Sequence, residues 1–128
     1  MKYRLVQWAG LALLITVLGA CSEPGVSSSE IEVGEFWISA GDRVLHAGTI
    51  DLSIENYGEF PHTLVVSDAA GTVIAATDLI GPDAETALTV NLQPGSYMLT
   101  CRIVKGLEDG TVVDHYQEGM ATPVDVAA

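Results

Sequence analysis

Five side chains in this sequence carry the polarisable or imidazole donors that could do chemistry: His62, Cys101, His115, Met120 and Cys21. Two imidazoles, a thiolate and a thioether form the donor set that suits copper in a trigonal His–His–Cys arrangement with a weak axial Met. Each residue alone has an ordinary explanation. A histidine at the start of a strand is usually a surface or satisfied residue, a lone thiol is commonly buried and inert, and Met120 can be core packing, as Met98 is read here. His46 falls at no position that fits the set and is read as surface.

Cysteine usage sharpens the question. Met1–Arg4 is positively charged, Leu5–Leu18 is apolar apart from Gln7, and Leu18-Gly19-Ala20-Cys21 closes the run. The run is too short for a comfortable membrane span and fits a secretory leader. The closing tetrapeptide resembles a bacterial lipobox, which implies a leader over 1–20, lipidation of Cys21 and an anchored protein outside the cytoplasm, on a periplasmic face or cell surface. Cys101 is then left without a disulfide partner in a compartment where disulfides form readily. Residues 21–30, rich in Ser with one Pro-Gly pair, read as lipidated Cys and tether, and 31–128 as one domain.

Charge excludes one class of partner. The chain carries 17 acidic residues against 5 Lys and Arg, a net −12. Loss of the leader removes Lys2 and Arg4, leaving three cations against seventeen anions, or −14. Such a surface repels phosphate backbones, so nucleic acid is not a partner, whereas a basic protein would be steered toward it.

The elements that must position the donors are strands. Ile50, Leu52 and Ile54 alternate with Asp51, Ser53 and Glu55; Leu88, Val90 and Leu92 alternate with Thr89 and Asn91. Turn signals at Gly41-Asp42, Asn56-Tyr57-Gly58, Gly81-Pro82-Asp83, Pro94-Gly95 and Asp109-Gly110 punctuate the rest. The pattern predicts an all-β protein, a Greek-key β-sandwich of about seven or eight strands.

Three motifs then fall in a familiar order: Gly-x-Phe-Pro-His over 58–62, Pro-Gly-x-Tyr-x-x-x-Cys over 94–101, and His-x-x-x-Gly-Met over 115–120, followed by an alternating terminal strand. Together they resemble the cupredoxins, the family of plastocyanin, azurin and auracyanin. The resemblance implies one type 1 copper ion held by His62, Cys101, His115 and Met120. It also implies a carrier of single electrons between redox partners, with His115 as the more exposed ligand and electron gate; the chain is expected to be a monomer and, with no acid–base pair or nucleophile constellation in the sequence, not an enzyme. A copper chaperone or resistance lipoprotein is the alternative the ligand types allow.

Two departures stand out. Thirteen residues, 102–114, separate Cys101 from His115 where the family has only a few. They read as an extra hairpin, with Ile103 and Val104 on one arm, Val112 and Val113 on the other, and Glu108-Asp109-Gly110 at a tip centred on 108. The arms would project about 20 Å beside an intact site. Thr63 also stands where several family members have Asn after the first ligand, a change that keeps a backbone N–H for the cysteine sulfur.

Overall fold

The computed structural model describes residues 27–128; the leader, Cys21 and the start of the tether lie outside the described residues. Those described form strands and turns without a helix. Four strands make one sheet in the order β2-β1-β4-β7: β1 (Ser27–Gly34), β2 (Trp37–Ala40), β4 (Gly48–Asn56) and β7 (Glu85–Leu92). Five make the facing sheet in the order β3-β11-β8-β5-β6: β3 (Val44–His46), β5 (Val65–Asp68), β6 (Val73–Ala76), β8 (Gly95–Thr100) and β11 (Ala121–Ala127). A separate pair, β9 (Val104–Gly106) and β10 (Val112–Asp114), is the hairpin. Both main sheets are mixed, because β1 runs parallel to β4 and β3 parallel to β11.

The two sheets hold nine strands where seven or eight were expected; the surplus comes from β2 and β3, four and three residues long. The first strand begins at Ser27, four residues inside the stretch read as tether. The parallel register with β4 pairs Ser27 with Ile50 and captures those residues.

The period-two pattern translates directly into burial. Ile31 and Val33 of β1, Ile50, Leu52 and Ile54 of β4, and Val90 and Leu92 of β7 are buried, facing Val66, Leu99, Val124 and Val126 of the other sheet. Each such side chain withdrawn from water stabilises the fold by about 1.5–3 kcal/mol. Met98 departs from its expected core role: it is half-buried on β8, while its neighbour Leu99 takes the core side. His46 is exposed, as read from the sequence.

Candidate metal centre

The site grows out of strand register. In the antiparallel pair of β8 and β11, Thr100 faces Ala121, so one step further along the ladder Cys101 faces Met120. The Cys101 N–H donates to the Met120 carbonyl at 3.2 Å and confirms that extension. On the other side of β8, Val65 pairs with Thr100, which brings Leu64 and Thr63 alongside Cys101. The backbone N–H of Thr63 donates to Cys101 Sγ at 3.5 Å, and Thr63 Oγ1 lies 3.7 Å from the same sulfur. The amide expected to survive the Asn-to-Thr departure therefore does so, and a hydroxyl joins it.

His62 is held by a two-way backbone bridge. Its N–H donates to the Ile80 carbonyl at 3.0 Å, and the Ile80 N–H donates to its carbonyl at 2.8 Å. The approach loop is organised by buried Asn56. Its side-chain amide donates to the carbonyls of Phe60 and Ile80, and its Oδ1 accepts the Gly58 N–H.

His115 closes the base of the hairpin, donating its N–H to the Ile103 carbonyl at 3.0 Å. A turn follows: Asp114 Oδ1 accepts the N–H groups of Tyr116 and Gln117, and Gly119 sits at φ 122°, a left-handed conformation that other residues resist. That reversal lets the Met120 N–H donate back to the His115 carbonyl at 3.0 Å.

The result is a tight cluster. His62 Nδ1 and His115 Nδ1 are 3.2 Å apart, and Cys101 Sγ lies 4.0 Å from the first and 3.6 Å from the second. First-row ions bond nitrogen at about 2.0 Å and thiolate sulfur at about 2.3 Å, so donors this close can share one ion. These three form the metal-competent group found among the described residues. His62, Cys101 and Met120 are fully buried, and the Met120 backbone lies opposite the cysteine on the ladder. A soft thiolate with two imidazoles selects copper over hard cations.

His115 is the most exposed of the four, as expected, but at 3% against 0% for His62, Cys101 and Met120 it presents no open edge. Phe36 packs edge-on against its ring at 5.0 Å between centroids, and with Phe60, Lys105, Leu107 and Val113 it lines a cavity of about 160 Å³ over the imidazole. The hairpin therefore folds back as a wall instead of standing clear of the site. Burial, and after it the neighbouring His62, push the His115 pKa below the ordinary histidine value, which keeps the ring neutral and its lone pair ready for a metal.

One group escaped the sequence reading. Glu35, in the turn between β1 and β2, accepts the Nε2–H of His62 at 2.8 Å, with its side chain 23% exposed. Its Oε2 also accepts the Glu59 N–H and its Oε1 the Phe60 N–H, both at 2.9 Å. Burial pushes its carboxyl pKa up, but the two amides and His62 outweigh that and leave it lowered. No spacing signal links Glu35 to residues 59–62; only the fold brings them together.

A two-sheet sandwich with a buried His–Cys–His cluster at one pole defines the class: the fold is that of the cupredoxins, and the donor set fits one type 1 copper ion. No protein-family model matches the sequence, and no curated protein matches it. Among solved structures it is similar to auracyanin from the photosynthetic bacterium Roseiflexus castenholzii, at 23% identity and a TM-score of 0.63, over 81% of this chain and 100% of that one. Auracyanin A of Chloroflexus aurantiacus, described as a "blue" copper protein, is similar at 16% identity and the same TM-score, over 80% and 100%. A purple cupredoxin from Nitrosopumilus maritimus is similar at 16% identity and a TM-score of 0.51, over 79% and 99%.

Proposed function

We propose that this protein carries single electrons between redox partners outside the cytoplasm, anchored to a membrane through lipid on Cys21, with His62, Cys101, His115 and Met120 as ligands of one copper ion. The observation that carries the reading is the approach of two imidazole nitrogens and one thiolate to within 4.0 Å of one another in a buried pole. Copper bound there supplies a one-electron couple. The protein's part is to hold the donors in one arrangement for both oxidation states. The strand ladders around Cys101, the Ile80 bridge to His62 and the turn before Met120 do so without help from mobile side chains.

Enclosure favours a carrier over a chaperone. Handing the metal to another protein requires an incoming donor to reach it, and both imidazoles and the thiol are shut away from solvent. An electron needs only a thin wall. Phe60, Leu79, Val104 and Leu107 form an exposed apolar collar on the side of His115, where a partner can dock. The net negative charge of the chain favours a basic partner.

The test is a visible spectrum of the purified chain after Cu(II) addition, with redox cycling. The expected result is an intense thiolate-to-copper band that bleaches on reduction, returns on oxidation, and is absent from C101S. A colourless protein whose thiol remains free to react rejects the reading.

A further inference from the structure

The metal cluster has a ligand whose orientation is set from outside the ligand set. His62 offers Nδ1 to the cluster, so its remaining proton sits on Nε2, and a buried N–H of this kind needs an acceptor. Glu35 Oε1 provides it at 2.8 Å, from an element 27 residues upstream. The same carboxylate takes the amides of Glu59 and Phe60, so one side chain binds three donors of the segment that delivers His62.

The packing is specific to this arrangement. A Cβ placed on Gly58 would lie 2.7 Å from Glu35 Cδ and closer still to Oε1, so the carboxylate rests against bare backbone that only glycine offers. Glycine at 58, the two amides and the His62 ring form a socket for one carboxylate. A carbonyl acceptor would orient the ring equally well but would bring no net charge. A carboxylate places a negative charge behind the imidazole, where it stabilises a more positive ion over a less positive one.

We propose that Glu35 is a positioning residue of the metal site, which fixes the His62 ring with Nδ1 toward Cys101 and His115 and lowers the reduction potential by favouring the oxidised ion. The potential half of this inference rests on the copper reading above; the ring-fixing half does not.

Two measurements separate them. In the metal-free chain, nitrogen-15 NMR of the histidine rings detects which nitrogen of His62 bears the proton. The expected result is a protected Nε2–H in the wild type that exchanges rapidly in E35A; a proton on Nδ1 in the wild type overturns the proposal, whether or not any variant folds. In the copper-loaded chain, E35Q removes the charge while nearly keeping the shape. The expected result is a retained visible band and a ratio of Cu(II) to Cu(I) affinity lowered roughly tenfold, read as a potential about 59 mV higher for a one-electron couple. A folded E35Q with an unchanged potential overturns it, since a clamp that only stabilised the loop would alter melting and leave the couple alone. A wild type that takes up no copper defeats the copper reading and leaves the NMR test standing.

Discussion

Asn56 supports the whole approach to His62 from a fully buried position, with its amide on two carbonyls and its oxygen on the Gly58 N–H. Replacing it by Ala removes three hydrogen bonds and leaves the buried Gly58 N–H without its acceptor, while the Ile80 carbonyl keeps the His62 N–H. At about 1 kcal/mol for each bond lost, with more for any group left unpaired, N56A is expected to cost about 3–5 kcal/mol, measured by urea denaturation of the metal-free chain. A loss below 1 kcal/mol would mean that water replaces the side chain. Residues of this kind divide into those a sequence reveals and those it hides. His62, Cys101, His115 and Met120 are legible because their chemical types are rare and their order is informative. Asn56 looks like a turn residue and Glu35 like one of seventeen acids. Their roles come from contacts across loops and sheets, for which a linear chain carries no period.

Among the elements, β4 and β7 were readable from alternation alone, since one face meets the core and the other meets water. The hairpin was readable too, but its placement was not. Its register pairs Gly106 with Val112 and Val104 with Asp114, which centres the tip on 109. A five-residue turn closes it, the Leu107 N–H donating to the Thr111 carbonyl and Gly110 at φ 85°. His115 therefore stands across from Ile103 and not from Cys101. Which way such an arm leans depends on what its apolar side chains can cover, and Leu107 and Val113 find Phe36 and Phe60. Because β9 and β10 pair only with each other, the arm is separable from the sandwich. Replacing 104–112 by a short Gly-containing turn is expected to lower the melting temperature by less than about 8 °C, equivalent to about 1 kcal/mol in a domain this size. It should also speed oxidation of the copper-loaded chain by small hydrophilic oxidants, followed by stopped-flow absorbance. An unchanged rate would show that the arm does not shield His115.

For the molecule as a whole, charge is the property that reaches furthest. With 17 acidic residues against 5 basic ones, encounter with a basic electron donor or acceptor is attractive at long range and screened by salt. Raising ionic strength from about 0.01 to 0.15 M shrinks the screening length from about 30 to 8 Å. The second-order rate of electron exchange with a basic redox protein is expected to fall by roughly tenfold or more over that range, against little change for an uncharged small-molecule oxidant. A rate that is flat in salt would remove charge as the basis of partner choice. This global property is fully legible in composition, since it needs no fold at all.

The direction of β1 bears on what the proposed lipid anchor would do. Its last residue, Gly34, leads into Glu35 behind His62, while its first, Ser27, begins at the far end of the sandwich, about 23 Å away along an extended strand of eight residues. A lipid on Cys21, as proposed above, would hold the sandwich from the end opposite the metal site. The proposed copper pole would then point away from the membrane, toward partners that approach from solution.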